Sequence, residues 1–133
     1  MSHILLDTHA WAWSMTADVR LSATATGAME QAETVFISAI SLFEIGQKVR
    51  LGKWSEMAPF LDRLIALAQE QGGRLAEVSP EVSLLAATLA WDHRDPFDRL
   101  IAATAITRGL VLVSIDVAFD DLAGMPGWPG RIW

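Results

Sequence analysis

Five carboxylates of this chain stand where short apolar runs end or where helical patterns begin. They are Asp7, Glu44, Asp95, Asp98 and Asp116. In open parallel sheets, ligands bind beyond the carboxyl ends of the strands, and these side chains would meet there. Crowded carboxylates raise one another's pKa unless a cation compensates them, and oxygen ligands suit the hard divalent ions Mg²⁺ and Mn²⁺. The spacing therefore predicts a site for one or two such ions, which would support hydrolysis of a phosphodiester.

Helix capping is the alternative explanation for each of these acids. The segment Ser41-x-x-Glu44 has the form of a capping box, in which the glutamate satisfies a backbone donor. Asp95 precedes a proline at a predicted first helical position, and Asp98 would then lie at the third, where the helix dipole favours a negative charge. The two remaining aspartates would each cap a short helix that follows them. Capping would explain each acid separately, but it does not explain why all of them are predicted at the same edge of the sheet. Their shared position therefore favours the metal site.

Apolar runs of strand type alternate with longer helical patterns along the chain. The predicted strands are His3–Leu6, Val35–Ser38, Leu75–Val78, Leu110–Ile115 and a short one at Arg131–Trp133. The predicted helices are Ser22–Ala32, Leu42–Leu51, Pro59–Gln71, Pro80–Trp91 and Pro96–Arg108. Strands that are apolar throughout and separated by helices indicate a parallel sheet covered on both faces. We therefore predict an α/β fold, and the absence of a linker or an internal repeat predicts one domain over residues 1–133.

Composition excludes several classes of protein. With 52% hydrophobic and 20% charged residues in 133, the chain is too apolar to be disordered. It has no cysteine, which excludes disulfide scaffolds, cysteine-ligated metals and thiol nucleophiles. A net charge of −6 argues against nucleic-acid binding through a broad basic surface. Since the sequence shows neither a signal peptide nor an apolar run of about 20 residues, we expect a cytoplasmic protein.

Four motifs carry a resemblance to a known family. They are LLDTHAW at Leu5–Trp11, SAISLFE at Ser38–Glu44, DPFDRLIAATA at Asp95–Ala105 and LVSID at Leu112–Asp116. In order, spacing and total length the chain resembles the PIN-domain ribonucleases, and specifically the VapC toxins of bacterial type II toxin–antitoxin pairs. The resemblance implies a PIN-like three-layer fold with a central parallel sheet of about five strands in the order 3-2-1-4-5. It also implies a Mg²⁺- or Mn²⁺-dependent endoribonuclease that inhibits growth.

The same resemblance carries the family's four acids onto particular residues. In chain order these are Asp7, Glu44, Asp98 and Asp116. The third is Asp98 rather than Asp95 because it stands just before the Leu-Ile-Ala-Ala segment, and Asp95 is expected to assist. Ser114 stands where the family commonly has threonine, and it keeps the hydroxyl. We expect Thr8, Ser38 and Ser114 to orient the carboxylates by hydrogen bonds, with helix capping as the alternative.

Substrate and partners follow from the same hypothesis. Candidates for contact with the RNA backbone are Lys48, Arg50, Lys53, Arg94 and Arg99, with solvated surface charge as the alternative for each. Lys48 stands four residues after Glu44 and would also pair with it along a helix. The resemblance implies a VapB-type antitoxin and a homodimer, for which the apolar stretches Ala17–Ala32 and Trp54–Leu67 offer surfaces. An antitoxin arginine would enter the acidic cluster and compete with the metal.

Other chemistries are less well supported. His9 and His93 each lie two residues from an aspartate, but the sequence has no paired-histidine zinc motif, so we expect them to line the cleft or to pack. Two further functions remain open at this point. One is a catalytically silent PIN-like binding module, which the presence of all four acids disfavours. The other is a metal-dependent phosphatase or nuclease that acts on substrates other than RNA.

Overall fold

The computed structural model describes residues 2–133, which contain five strands. They are β1 (His3–Leu6), β2 (Thr34–Ser38), β3 (Gly73–Ala76), β4 (Val111–Val113) and β5 (Arg131–Ile132). Every neighbouring pair is parallel, and the strand order is β3-β2-β1-β4-β5. The predicted α/β class, the parallel sheet and the strand order are confirmed.

Six α-helices and two 3₁₀ segments connect these strands within residues 2–133. The α-helices are α1 (Thr8–Thr16), α2 (Ala23–Gln31), α3 (Ala39–Arg50), α4 (Leu64–Glu70), α5 (Pro80–Thr88) and α6 (Pro96–Arg108). The 3₁₀ segments are Ser55–Arg63, which runs directly into α4, and Val117–Leu122, which follows β4. In the described part of the chain, no helix has the length and apolar character needed to cross a membrane.

The central strand β1 places its side chains alternately in two hydrophobic layers. Ile4 and Leu6 pack in the same cluster as Trp11 on one face of the sheet. Leu5 packs with Phe119 in the cluster on the other face. All five side chains are buried, and burying each of them contributes about 1.5–3 kcal/mol. Because helices cover both faces, the strand is apolar and buried from Ile4 to Leu6, and the residue that follows it is also enclosed.

The third strand begins two residues earlier than predicted, at Gly73 rather than at Leu75. The prediction of Leu75–Val78 followed the apolar side chains and missed the glycine that starts the pairing with Val35. A Cβ atom on Gly73 would lie 2.9 Å from the carbonyl oxygen of Ala68 at the end of α4. The close approach of helix and strand therefore requires glycine at this position, which no periodicity rule detects.

Several helices also differ from the predicted spans. The helix α3 begins at Ala39 instead of Leu42, because Ser38 caps it. The predicted helix Pro59–Gln71 is a 3₁₀ segment that becomes α-helical only at Leu64, consistent with a proline that lacks the N–H of a regular ladder. The helix predicted to reach Trp91 ends at Thr88, and α1 is a full nine-residue helix where only a short one was expected.

Candidate active site

A cleft of about 490 Å³ opens beyond the carboxyl ends of β1, β2 and β4. All five predicted acids line it, namely Asp7, Glu44, Asp95, Asp98 and Asp116. They belong to four separate parts of the chain, and the sheet brings those parts together. The backbone N–H of Asp7 donates to the carbonyl of Val113 at 3.1 Å and so joins the ends of β1 and β4. We refer to this cavity as the acidic cleft.

Asp7 follows β1 directly, lines the acidic cleft and is only 6% exposed. One carboxylate oxygen accepts a hydrogen bond from the backbone N–H of Ala10 at 2.8 Å and caps α1. Burial raises the pKa of Asp7 from 3.8 to about 6, and the charges of Asp98 and Glu44 add to the shift, whereas hydrogen bonding by Ser114 and Ala10 opposes it. Capping and membership of the cluster therefore coexist in one side chain.

The capping-box interpretation of Ser41 and Glu44 is wrong. Because α3 begins at Ala39, Glu44 lies in the second turn and is 4% exposed. Its carboxylate accepts a hydrogen bond from Lys48 Nζ at 2.6 Å, the i, i+4 pairing that was the predicted alternative. The Ser41 hydroxyl is hydrogen-bonded to the hydroxyl of Thr8 at 2.8 Å. Glu44 is thus free of a capping role and lines the acidic cleft.

The start of α6 presents two aspartates to the acidic cleft. Asp95 Oδ1 accepts hydrogen bonds from the backbone N–H groups of Phe97 and Asp98, at 2.9 and 3.4 Å, so its predicted role as N-cap is confirmed. Asp98 is the third residue of the helix. Burial raises the pKa of Asp98 from 3.8 to about 6, the charges of Asp95 and Glu44 add to this, and the neighbouring His93 opposes it.

His93 contributes an imidazole to the acidic group. Its Nε2 lies 2.7 Å from Asp98 Oδ2, and its ring stacks on Trp91 with 4.7 Å between centroids. His93, Asp98 and Asp116 each offer a ligand atom, and these atoms lie within 4.8 Å of one another. The sequence predicted only that His93 would line the cleft or pack, so its contact with Asp98 extends that expectation.

Arg99 was predicted to contact RNA or to be solvated surface charge, but its guanidinium is engaged by backbone carbonyl groups. Its guanidinium donates to the carbonyl oxygens of Ala86, Leu89, Trp91 and His93, at 2.6–2.9 Å. These bonds satisfy the end of α5 and hold the loop that carries His93. The side chain therefore supports the acidic cleft from behind and has little donor capacity left for a phosphate.

The hydroxyl groups near the acids have different partners. The buried Ser114 hydroxyl accepts a hydrogen bond from the backbone N–H of Asp116 at 3.0 Å and lowers the pKa of Asp7, so it contacts two acidic residues. Asp116 in turn accepts from the N–H of Ala118 at 2.9 Å and caps the 3₁₀ segment. Thr8 and Ser38 were expected to orient carboxylates, but Thr8 bonds to Ser41 and Ser38 caps α3.

The remaining basic candidates fall into two groups. Lys48 lines the acidic cleft, and Lys53 lines a cavity beside it. Arg50 and Arg94 are exposed and lie outside the lining of the cleft. Arg20 was not among the predicted residues, but it lines the cleft and is held by Asp18 through hydrogen bonds of 3.0 and 2.8 Å. The position of Arg20 in the sequence does not indicate contact with the acids, because only the turn after α1 brings this side chain back to the cleft.

His9 lines the acidic cleft, as predicted, and it also belongs to an aromatic group. Its ring stacks on Trp54, with 4.8 Å between centroids, and lies 5.6 Å from the ring of Trp13. Burial lowers the pKa of His9 and the charge of Lys48 lowers it further. The charges of Glu44 and Asp116 oppose this shift of the His9 pKa, but burial outweighs them.

The donor set of the acidic cleft fits a hard divalent cation. Its lining offers carboxylate oxygens from separate elements, which suit Mg²⁺ and Mn²⁺, and the His93 nitrogen lies against Asp98 and Asp116 beside them. Two of the carboxyls, Asp7 and Asp98, have raised pKa values because their charge is buried without a compensating cation. A divalent ion placed among them would remove that cost.

A doubly covered parallel sheet of order 3-2-1-4-5 with an acidic cleft at its carboxyl edge defines an α/β protein of the PIN class. The model of the PIN domain family matches residues 4–125. Ribonuclease VapC22 of Mycobacterium tuberculosis is 36% identical over 117 residues, which cover 87% of this chain and 88% of that protein. The chain belongs to the PIN-domain family and, within it, to the VapC proteins, so the resemblance found in the sequence is confirmed.

Solved structures show the same fold at low sequence identity. VapBC2 from Rickettsia felis, bound to a DNA fragment from its promoter, has a TM-score of 0.68 and 17% identity, with 98% of each chain covered. DNA-bound VapBC from Salmonella typhimurium has a TM-score of 0.65 and 20% identity, and the match covers 98% of this chain and 97% of that one. The fold is therefore shared far beyond the range of close sequence similarity.

Proposed function

We propose that this chain is a metal-dependent endoribonuclease and the toxin of a VapBC-type pair. One observation carries the proposal, namely that acids from four separate parts of the chain share one cleft on a PIN fold. The relative with 36% identity over most of the chain is named a ribonuclease, which makes RNA the first choice of substrate. Such a substrate places the reaction in the bacterial cytoplasm.

The proposed metal ligands are Asp7, Glu44, Asp98 and Asp116, for one or two ions of Mg²⁺ or Mn²⁺. When bound, a divalent ion supplies positive charge to phosphate oxygens and lowers the pKa of a water. The chain's own part is to hold the carboxylates in place. The N–H of Ala10 fixes one oxygen of Asp7, and the capping bonds of Asp95 fix the first turn of α6 and thus Asp98.

Charge around the acidic cleft supports binding of a phosphodiester. Lys48 offsets the charge of Glu44 at 2.6 Å, and Arg20 lines the same cleft. Both cations would attract the RNA backbone while the acids hold the metal. We keep Lys53, Arg50 and Arg94 as further proposed RNA contacts at the surface.

We propose a VapB-type antitoxin as the partner and a homodimer as the assembly. The similar structures from Rickettsia felis and Salmonella typhimurium are VapBC complexes, and another is a toxin–antitoxin complex from Klebsiella pneumoniae. Within the two apolar stretches expected to form contact surfaces, Val19, Leu61 and Ile65 are exposed. An arginine from the antitoxin would satisfy the buried charge of Asp7 and Asp98 and would thereby compete with the metal.

The proposal is tested by incubating the purified chain with an RNA and a DNA of the same sequence, in Mg²⁺, Mn²⁺ or EDTA. We expect cleavage of RNA with metal and none in EDTA. Asp98→Asn should reduce cleavage by at least about 100-fold, because it removes one ligand of a divalent site. The control is Asp62→Asn, which removes an exposed carboxylate from the 3₁₀ segment before α4 and should leave cleavage unchanged.

Other outcomes would overturn parts of the proposal. Survival of RNA in every metal condition would show that the chain is not a ribonuclease and would favour a silent binding module. Equal cleavage of DNA and RNA would indicate a general nuclease or phosphatase. Expression of the wild-type chain in bacteria should slow growth unless the neighbouring antitoxin is co-expressed, and harmless expression would contradict the toxin assignment.

A further inference from the structure

We infer that a cavity beside the acidic cleft is a subsite for one nucleotide of single-stranded RNA, next to the phosphodiester that is cut. The cavity has a volume of about 310 Å³, and we call it the aromatic pocket. It is lined mainly by His9, Trp13, Arg20, Lys48, Lys53 and Trp54. The inference rests on the proposed ribonuclease function and adds which part of the molecule grips the RNA.

Stacking surfaces form one side of the aromatic pocket. The ring of His9 lies 4.8 Å from that of Trp54 at an angle of 28°, and 5.6 Å from that of Trp13. Trp13 is buried, whereas His9 and Trp54 are half-buried, so the latter two present accessible ring surface. A nucleobase of any identity stacks on such surfaces, since every base has a π-face.

Three cations surround these rings. The Lys48 ammonium lies 5.4 Å from the ring centre of Trp54, and the Arg20 guanidinium lies 4.6 Å from that of Trp13. Lys53 is exposed at the same cavity, where Glu56 is the one acidic lining residue among those described. Arg20 is paired with Asp18 and Lys48 with Glu44, whereas Lys53 forms no ion pair among the described residues, so its ammonium is the group best placed to contact a phosphate.

The aromatic pocket is continuous with the acidic cleft. His9, Trp13, Arg20 and Lys48 line both cavities, so the two adjoin along these side chains. A phosphodiester at the acids would therefore place the next nucleotide of its strand over His9 and Trp54. The exposed ammonium of Lys53 beside the rings of His9 and Trp54 favours a nucleotide, which brings both a phosphate and a base, over a basic protein segment.

The test measures binding of a short fluorescein-labelled single-stranded RNA to the full chain carrying Asp98→Asn, which prevents turnover. In this background, Lys53→Ala and Arg20→Ala should each weaken binding about threefold to tenfold and lower the slope of log Kd against log salt by about 0.7 for each phosphate that is no longer neutralised. The matched control is Arg108→Ala, at the C-terminal end of α6 beside Phe36, which should change neither quantity.

A second measurement locates the base. RNA substituted with 5-iodouridine should crosslink on irradiation to peptides that contain Trp54 or His9, and Lys53→Ala should reduce the yield. Unchanged Kd, slope and crosslinks in the pocket variants would overturn the inference, while metal-dependent cleavage of RNA by the wild-type chain would leave the proposed function intact. Variants that weaken the complex with the antitoxin but not RNA binding would show a protein-docking site and would also overturn it.

Discussion

Asp7 is the residue in which the structural and the proposed chemical roles are most closely joined. Its carboxylate caps α1 through Ala10 and at the same time lies buried against Asp98 and Glu44. An asparagine keeps an oxygen that accepts the capping hydrogen bond but carries no charge. The two roles can therefore be separated by one substitution.

Asp7→Asn should stabilise the metal-free protein and abolish cleavage. Burial raises the pKa of Asp7 to about 6, so ionising it in the folded chain near neutral pH costs stability, on the order of 1–3 kcal/mol, that the neutral amide does not. Unfolding in urea with EDTA measures the stability, and an RNA cleavage assay measures the activity. A destabilised variant that still cleaves RNA would show that Asp7 acts mainly as a cap.

His93→Asn should change the preference between metals. An imidazole nitrogen among carboxylates favours Mn²⁺ over Mg²⁺, so we expect Mn²⁺ binding to weaken about tenfold and Mg²⁺ binding to change less. Calorimetric titration of each metal gives both constants. The control is His3→Asn at the start of β1, where the imidazole faces Glu33 at 3.5 Å. Equal weakening for both metals would indicate that His93 only positions Asp98.

At the scale of single residues, the sequence predicted what depends on residue type and missed what depends on tertiary contact. The carboxylates could be found because strand ends and helix starts are visible in the sequence. The roles of Arg20 and Arg99 could not, because each is set by partners that only the folded chain brings together. Arg99 stands beside Asp98 in the sequence, but its donors point to carbonyl groups of the preceding loop rather than to solvent.

At the scale of elements, the loop between α5 and α6 is built around one guanidinium. Arg99 in α6 donates to four carbonyl groups, two of which belong to Trp91 and His93. These hydrogen bonds satisfy carbonyl groups that backbone N–H groups would have satisfied if α5 had continued as a helix. His93 lies in this loop and contacts Asp98 at 2.7 Å. A well-fixed loop backbone therefore also fixes the position of His93 beside the acidic cleft.

Arg99→Lys should therefore destabilise the fold, although it conserves charge. A lysine ammonium cannot reproduce the planar fork that reaches four carbonyl groups, so the free energy of unfolding should fall by about 2–4 kcal/mol. The control is Arg94→Lys, an exposed position in the same loop, where the change should stay within about 0.5 kcal/mol. Urea unfolding monitored by tryptophan fluorescence measures both. Equal stability of the two variants would contradict the role assigned to Arg99.

The strands were easier to predict than the helices for a physical reason. A buried parallel strand leaves a continuous apolar run, and the runs at His3–Leu6 and Val35–Ser38 gave β1 and β2 almost to the residue. Helix ends depend on caps and on contacts such as those of Gly73 and Arg99, which are set by the completed fold. The length of helix α1 was underestimated because Trp11 and Trp13 are both buried, so that its sequence shows no polar face.

At the scale of the whole molecule, the net charge of −6 does not show that acids and several of the cations are gathered in one region. The acids of the cleft lie beside a pocket that carries Arg20, Lys48 and Lys53. Composition alone correctly argues against a broad basic face, but it cannot show that a few cations gather at the place where RNA is proposed to bind. Divalent ions at the acids would reduce the negative potential there further.

Stabilisation by Mg²⁺ should depend on pH. The folded-state pKa of Asp7 and of Asp98 is about 6, above the ordinary 3.8, so each contributes stability to the metal-free protein that is complete below about pH 3.8 and is lost as pH rises through about 6. The ionised carboxylates that cause this loss are the form that binds metal. Saturating Mg²⁺, at about 100 times its Kd, should therefore raise Tm by roughly 10 °C near pH 7.5 and by less than half of that near pH 5.

Thermal unfolding with Mg²⁺ or with EDTA at the two pH values measures this dependence. Burial lowers the pKa of His9, so His9 contributes stability that is lost as pH falls. This pH dependence is opposite in sign to that of the two aspartates. Comparison with Asp7→Asn separates the two, because the variant keeps His9 and loses one titrating carboxyl. A rise in Tm that is equal at both pH values in the wild-type chain would show that Mg²⁺ does not bind at the buried acids.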